Sequence, residues 1–508
     1  MIPNILTLLV FLPLLGALIV LTIPNEHKNV IRSIAGITSF VTLIISIIVW
    51  SNFNRGLSGM QFAENYTWID LGFVSFNYEL GVDGLSMPLL VLTTIVTFLA
   101  VVASVTIKDR VKEYFVWMLI LLTGMLGVFV ALDMFLFFLF FELTLIPMFF
   151  IIGIWGGKER EYAAFKFLIY TGLGSALMLI AFFAMFYQGA MASGQPTLNF
   201  LALAEIYGNP AYAGMISNAF KAGLFLTLFI AFAVKLPIFP FHTWLPDAHV
   251  QAPTAASMIL AGVLLKMGAY GLLRVGFGIL PDQAANFAYL IAILGVVNII
   301  YGALLALVQK DLKKLVAYSS ISHMGIVLLG AASFTTSGMQ GAIFQLVSHG
   351  FIAALLFFMV GAIYERTHTR MIEELGGLSK TIPILAGFLL AAAMASVGLP
   401  GMSGFVSEFL AFMGIFWASP DVIPAAKTIA VIAALGIILT AAYLLWAMQR
   451  TTFGQLHQSH AHLEDARPIE YVPMVCLLGL IILIGVYPAI LGDVINTTVI
   501  DIVSKIGG

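Results

Sequence analysis

About fourteen apolar runs of roughly 20 residues each constrain the fold of this chain more than any other feature. A helix of that length crosses the hydrocarbon core of a bilayer, which is about 30 Å thick. Only 9% of the 508 residues are charged, a share that excludes a soluble enzyme, a secreted domain or a nucleic-acid binder. The sequence therefore predicts an all-α polytopic membrane protein with spans near 5–23, 30–50, 85–106, 114–131, 134–155, 163–188, 219–244, 255–275, 284–308, 314–333, 341–363, 383–414, 424–449 and 470–495. One of these runs is unbroken from 114 to 155 and is expected to turn near Ala131 to Asp133.

Lys and Arg residues predict the orientation of these helices, because they favour connections on the cytoplasmic side. Most of the 23 lie in odd-numbered connections, whereas the even-numbered connections and the tail hold only Arg55, Lys221, Lys427 and Lys505. Both termini are therefore expected on the outer side, periplasmic in a bacterial cell membrane, which is favoured, or lumenal in a thylakoid. The first run lacks a preceding basic segment and is expected to be a retained span.

Cysteine content limits the chemistry of the chain itself. The single cysteine, Cys476, cannot build an iron–sulfur cluster, so no redox centre, cofactor or metal is expected in this chain. His457, His460 and His462 share one connection and could hold a metal, but histidines of a hydrated loop are the favoured interpretation.

Ionisable residues inside the apolar runs are the strongest functional signal, because charge is costly in hydrocarbon and turns toward a partner or a hydrated cavity. These residues are Glu142, Lys166, Lys235, Lys266, His323, His349 and Glu408. Lysines, histidines and carboxylates in series favour proton transfer, whereas sodium would require several oxygen ligands at one point. Two alternatives remain: each histidine can be a hydrogen-bonded core residue, and Lys166, near its helix start, can extend to the interface, as is expected of Arg274.

Prolines predict that the seventh span breaks beside its lysine. Pro237 and Pro240 follow Lys235, and each proline removes the amide that would bond the carbonyl four residues earlier, here Ala233 and Leu236. Carbonyls released next to an ammonium indicate a hydrated cavity, although a kink without function is the alternative.

A second break is predicted five spans later, where Pro400 deprives the Ser396 carbonyl of its partner and Gly398 and Gly401 loosen the helix ahead of Glu408. Two matching breaks an odd number of spans apart indicate inverted repeats, as in secondary transporters. The single membrane domain is accordingly divided into N-terminal spans (1–110), a first repeat (111–278), a second repeat (279–450) and a C-terminal span (451–508).

Glu142 lies deep in the fifth span and is expected to find a basic partner on another helix. A carboxylate about 4 Å from an ammonium, at an effective dielectric near 20, contributes about 4 kcal/mol. A pair of Glu142 with Lys235 is therefore strong enough to load or release a proton. The alternative is a static ion pair that orients two helices. Lys266, between the two broken spans, is expected to be the central relay group.

Several sequence blocks resemble a known family. GVDGLS at 81–86, FELTLIPMFF around Glu142, the block from FAVKLPIFPFHTWLPDAH to LLKMGAYGLLR, KLVAYSSISHMG and GLPGMSGFVSEF are together similar to the antiporter-like membrane subunit M, or subunit 4, of respiratory complex I. The resemblance covers nearly the whole chain.

The resemblance implies a proton channel in the membrane arm of an NADH:quinone oxidoreductase, driven by quinone reduction elsewhere. It implies that Glu142 and Lys235 form an ion pair, that Lys266 is the central lysine, that His323 and His349 connect it to the terminal Glu408, and that Lys166 serves the input half. NADH or ferredoxin, FMN, iron–sulfur clusters and quinone are expected on partner subunits, beside neighbouring antiporter-like subunits.

Two other functions remain open. A multi-subunit sodium/proton antiporter without a redox partner is similar in fold, although Glu408 and GLPGMSGF argue against it. A structural spacer, in which buried charges only hold helices together, is the second alternative.

Overall fold

The computed structural model describes residues 3–72 and 74–507, and their helices follow the apolar runs. In chain order the α-helices are α1 (Ile5–Thr22), α2 (Lys28–Ser51), α3 (Ser86–Ala103), α4 (Val111–Val130), α5 (Met134–Trp155), α6 (Arg160–Ser193), α7 (Phe200–Gly208), α8 (Asn218–Lys235), α9 (Trp244–Gln251), α10 (Thr254–Ile259), α11 (Leu265–Gly271), α12 (Pro281–Asn286), α13 (Ala288–Leu307), α14 (Leu312–Ala332), α15 (Thr336–Thr367), α16 (Pro383–Val397), α17 (Ser403–Phe416), α18 (Ala426–Met448), α19 (Tyr471–Val486) and α20 (Ala489–Gly507). Wider π-helical turns cover Leu260–Leu264, Leu272–Phe277 and Gln449–Phe453, and short 3₁₀ helices cover Ser104–Thr106, Pro210–Tyr212, Leu378–Lys380, Gln458–His460 and Pro468–Glu470.

Thirteen helices in the described residues are long and apolar enough to cross a membrane. The twelfth predicted span is divided between the shorter helices α16 and α17. Residues 254–277 form one helix from α10 through α11 with its two π-helical turns, and this helix is buried along its whole apolar window, as is α15. These two helices and α14 therefore form the centre of the bundle. Lipid-exposed helices such as α2 and α6 bury less than half of theirs.

The turn between α4 and α5 lies where the sequence predicts it, at residues 131–133. Asp133 caps the start of α5, because its carboxylate accepts the backbone N–H groups of Phe135 and Leu136, which have no partner inside the first turn of that helix. The same short segment pairs with Glu79, whose carbonyl accepts the Leu132 N–H at 2.9 Å.

A two-stranded antiparallel hairpin, not predicted from the sequence, interrupts the all-α pattern. Strands β1 (Gln61–Asp70) and β2 (Ser75–Val82) lie between α2 and α3. The two strands have 10 and 8 residues, so neither contains an apolar run long enough to cross a membrane.

The last predicted span, 470–495, is wrong at its end. Helix α19 stops at Val486 and α20 begins at Ala489, because Pro488 has no N–H to continue the first helix. Helix α20 meets the connection before α3, where Gly84 N donates to Thr498 Oγ1 at 3.0 Å. We call the face that carries the hairpin, residues 131–133 and α20 the hairpin side, and the opposite face the basic side.

Candidate functional site

The first helix break begins at Lys235, the last residue of α8, as predicted. The carbonyls beside it are not free, however. Ala233 O accepts the backbone N–H of Ile238 at 2.9 Å, and Val234 O accepts the Trp244 indole N–H at 2.9 Å. The predicted release of the Ala233 carbonyl is therefore wrong, because the chain turns back and supplies an amide one residue beyond the proline.

Asn298 holds this break in place and was missed by sequence reasoning. Its side chain, on α13, is fully buried, donates to Pro237 O at 3.2 Å and accepts from Phe239 N at 2.8 Å. The peptide between Phe239 and Pro240 is cis. The available signal was an amide in the middle of the apolar run 284–308, a polar group that must find partners once buried.

Lys235 and Glu142 do not form the predicted ion pair among the residues that the structure describes. The Lys235 side chain is buried, and its ammonium lies 5.0 Å and 5.6 Å from the ring centroids of Phe141 and Phe167, within cation–π range. The half-buried Glu142 leaves Oε1 without a hydrogen-bond partner in the described chain. Aromatic faces thus contact the ammonium where a carboxylate was expected.

Lys166 has a partner that the sequence did not indicate. Its Nζ lies 2.6 Å from Asp247 Oδ2, and the two side chains are 19% and 31% exposed. Asp247 stands in the first turn of α9, where the helix dipole favours a carboxylate. Lys166 is therefore tied to the second half of the broken span rather than extended alone to the interface.

Lys266 lies at the centre of the bundle and is fully buried. Its Nζ donates to Ala261 O at 2.5 Å and lies 2.8 Å from His349 Nδ1 on α15. The wider turn at Leu260–Leu264 precedes the lysine, and such turns expose backbone carbonyls to side chains five residues on. The lysine and the histidine that sequence reasoning singled out are thus in direct contact.

His323 continues the series on α14. Its ring centroid lies 5.5 Å from that of His349, its Nδ1 contacts Ser319 O at 2.8 Å and its Nε2 contacts Ser396 O at 3.1 Å. Ser396 O is the carbonyl that Pro400 was predicted to release, and His323 Nε2 lies against it. Since neutral imidazole has one N–H, both carbonyl contacts are hydrogen bonds only when the ring is protonated.

Glu408 completes the series at the second break. Its Oε1 lies 3.8 Å from His323 Nε2, and its side chain is 9% exposed. Gly398 ends α16 with a φ of +83°, and a Cβ there would lie 2.9 Å from Glu408 Oε2. A cavity of about 10 Å³ lies between Glu408 and the two histidines, close to the smallest volume that holds one water molecule.

His249 is a further buried histidine that sequence reasoning passed over. It lies on α9, is fully buried and stacks on Phe357 with ring centroids 4.3 Å apart. Neither ring nitrogen has a hydrogen-bond partner within residues 3–72 and 74–507. Over the same described residues, no three His, Cys, Asp or Glu side chains come together as a metal site, the loop histidines included.

Two protein-family profiles together cover most of the chain. One, described as the amino terminus of NADH-ubiquinone oxidoreductase chain 4, matches residues 7–129. The other, described as NADH:quinone oxidoreductase/Mrp antiporter, TM, matches residues 131–434. NADH-quinone oxidoreductase subunit M of Rhodobacter capsulatus is 43% identical, with 99% of this chain and 97% of the relative aligned.

The chain belongs to the antiporter-like subunit M, or chain 4, family of NADH:quinone oxidoreductase, complex I. Chain 4 1 of the NAD(P)H-quinone oxidoreductase of Picosynechococcus sp. is a further relative of this antiporter-like subunit, 44% identical over 99% of this chain and 92% of its own length. A chain in the structure of respiratory complex I from Thermus thermophilus with bound NADH has the same fold, with a TM-score of 0.86, 29% identity, and 99% and 100% of the two chains covered. The match to the chain 4 amino terminus favours the complex I assignment over the sodium/proton antiporter alternative.

Proposed function

We propose that this antiporter-like subunit translocates protons in the membrane arm of complex I, driven by quinone reduction in other subunits. The observation that carries the proposal is the buried series Lys266, His349, His323 and Glu408. Its members lie on four different helices, three of them at the centre of the bundle, and each contacts or closely approaches the next. Burying four ionisable side chains in a row is costly in a membrane protein, so a series of this kind supports a role in charge transfer.

The contacts support one order of proton transfer along the series. The Lys266 ammonium donates to His349 Nδ1, and His349 passes a proton toward His323. His323, held between two carbonyls, then reaches the Glu408 carboxylate, whose Oε1 lies 3.8 Å from its Nε2. Each transfer uses groups whose charge changes readily near neutral pH or under the influence of burial.

Lys235 and Glu142 supply the input half of this route, with Lys166. Closing a Glu142–Lys235 pair to about 4 Å changes the electrostatic free energy of the ammonium by about 4 kcal/mol at an effective dielectric of about 20. The pair is open in this structure, with the ammonium against Phe141. Its closing and opening load and release the proton on the lysine.

The finer architecture follows from the same proposal. The helices make fourteen crossings, α16 and α17 together forming one of them. Residues 111–278 and 279–450 are two inverted five-helix repeats, each with one broken helix, between an N-terminal unit (1–110) and a C-terminal unit (451–508). The scarcity of Lys and Arg in connections of the hairpin side supports placing that side, with both termini, on the outer side of the membrane, periplasmic or lumenal.

The partners follow from complex I membership. Neighbouring antiporter-like subunits flank the chain in the membrane arm, and NADH or ferredoxin, FMN, iron–sulfur clusters and quinone are bound by other subunits. A bacterial cell membrane is the proposed location, because relatives from bacteria match along nearly the full chain.

The test is Lys266→Ala in the complete complex, purified and reconstituted in liposomes. We expect the assembled complex to lose most proton pumping and, through coupling, most quinone reductase activity. Lys427→Ala, at an exposed lysine, is the matched control. Full pumping by Lys266→Ala contradicts the proposal, and loss of assembly without a change in activity per assembled complex favours the spacer alternative.

A further inference from the structure

Arg274 forms a buried ion pair on the hairpin side of Lys266. Its Nη2 lies 2.5 Å from Asp83 Oδ1, with the two side chains 10% and 2% exposed. The expectation that Arg274 extends to the membrane interface is therefore wrong. Asp83 belongs to the GVDGLS segment and also accepts the backbone N–H groups of Leu85 and Ser86 at 3.1 Å each.

Tyr270 connects this pair to the helix that carries Lys266. It lies four residues from Lys266 and four from Arg274, so the three side chains follow one another along the helix. Arg274 Nε donates to the Tyr270 hydroxyl at 3.3 Å, and that hydroxyl donates to Phe129 O at 3.2 Å. The Tyr270 side chain is fully buried.

The directions of these hydrogen bonds interrupt proton transfer toward the hairpin side. The Tyr270 proton is committed to a backbone carbonyl, and one acceptor position of its oxygen is used by Arg274. One oxygen of the Asp83 carboxylate, Oδ1, accepts from the guanidinium and from two backbone amides. Lys266 bonds Ala261 O, which lies on the other side of it from Tyr270. The ammonium is therefore directed away from the cluster.

The loop that holds Asp83 packs against helix α20. Gly84 donates to Thr498 on α20, and a Cβ at Gly84 would collide with the carbonyl oxygen of Val494. Glycine is thus required for the close approach of the two backbones. The Asp83 loop is therefore packed directly against α20.

We propose that Asp83, Arg274 and Tyr270 form a gate between Lys266 and the hairpin side, closed in this structure. The fixed positive charge of Arg274 opposes the passage of protons, as cations lining a pore do. Asp83 lowers that barrier by neutralising the guanidinium, and separation of the pair from Tyr270 opens the route. The inference rests on the proposed proton route through Lys266, because the gate closes the path from that lysine to the hairpin side.

A static ion pair that only joins two segments is the alternative, and the two residues of the pair distinguish it from a gate. If the pair only joins segments, Arg274→Gln and Asp83→Asn remove the same bond and have the same effect. If it is a gate, the effects are opposite. Arg274→Gln removes the barrier charge and leaves Asp83 able to carry a proton, whereas Asp83→Asn leaves the barrier charge uncompensated.

The experiment measures proton leak and proton pumping by the complete complex in liposomes, with pumping expressed per quinone reduced. With Arg274→Gln we expect passive proton leak about tenfold faster than in the unchanged complex, and fewer protons pumped per quinone. With Asp83→Asn we expect no added leak and slower turnover. Arg274→Lys, which keeps the charge, is expected to restore most of the barrier.

Equal effects of Arg274→Gln and Asp83→Asn, or unchanged leak in Arg274→Gln, overturn the gate. If a single variant fails to assemble, the double variant Asp83→Asn/Arg274→Gln leaves no unpaired buried charge, and the gate still predicts faster leak. Lys266→Ala in the same preparation separates the two proposals. Normal pumping by Lys266→Ala refutes the proton route itself. If Lys266→Ala loses pumping but Arg274→Gln leaks protons no faster than the unchanged complex, only the gate is refuted.

Discussion

Gly398→Ala tests whether the approach of Glu408 to His323 matters for function. An added Cβ would lie 2.9 Å from Glu408 Oε2, closer than such atoms normally approach, so the carboxylate has to move away from the end of α16. His323 stays bonded to Ser396 O at that same helix end. We expect the substitution to lengthen the distance between His323 and Glu408.

The structure sets the size of the effect. At 3.8 Å, the attraction between an imidazolium and a carboxylate is about 4.4 kcal/mol at an effective dielectric of about 20. A displacement of roughly 1 Å lowers it to about 3.5 kcal/mol. The charged pair loses about 0.9 kcal/mol, which reduces its population by a factor of about five. A left-handed backbone at alanine adds ~1–2 kcal/mol of strain to the folded state.

Gly401→Ala is the matched control, because Gly401 also has a left-handed φ, +93°, but no atom lies within 4 Å of its added Cβ. Both variants carry the backbone strain, and only Gly398→Ala displaces Glu408. We expect Gly398→Ala to pump protons about fivefold more slowly than Gly401→Ala at equal assembly, measured with the complex in liposomes. Equal pumping by the two variants would refute the reasoning.

Two further predictions concern stability. Asn298→Ala leaves the Phe239 N–H and the Pro237 carbonyl without their partner, at about 1–3 kcal/mol for each buried group, and should lower the thermal dissociation temperature of the solubilised complex. Thr227→Ala removes a half-buried hydroxyl that donates to Gly223 O of its own helix, and should not lower that temperature. Burial raises the pKa of Asp133 from 3.8 to about 6 against the opposing effect of backbone N–H groups, so its ionised form is less favourable in the folded chain. Stability from this group is highest below about pH 4 and falls as the pH rises to about 6, and Asp133→Asn should remove that slope; an unchanged slope contradicts the assignment.

The spans were predictable because they depend on length and hydrophobicity, which are local properties. The ends of α8 and α16 were predictable as well, since proline and glycine act on their own turn of helix. The hairpin was not, because β1 and β2 are held by pairing with each other and by the contact of Glu79 with Leu132. The division between α19 and α20 was signalled by Pro488 but hidden by the apolar residues around it.

The candidate site was predictable in its residue types and only partly in its contacts. Lys266 and His349 are in contact because each lies on a helix that is buried on all sides, so each side chain must find its polar partner on a neighbouring helix. The partner of Lys166 and the position of Lys235 depend on side-chain packing between distant segments, which no local pattern specifies. A lysine between two aromatic rings and a lysine beside a carboxylate have the same local sequence.

The two helix breaks share a sequence device but differ in chemistry. At the first break, the carbonyl released by proline is taken by the backbone amide of Ile238, a group that cannot titrate. At the second, the released carbonyl of Ser396 lies 3.1 Å from His323 Nε2, and Glu408 stands beside the same imidazole. A proline break therefore creates a protonatable site only where a neighbouring helix brings a titratable side chain to the freed carbonyl. At the Glu408 end of the proposed route, the titratable groups are therefore already close together. At the Lys235 end they are not, and the Glu142–Lys235 pair must close before a proton moves.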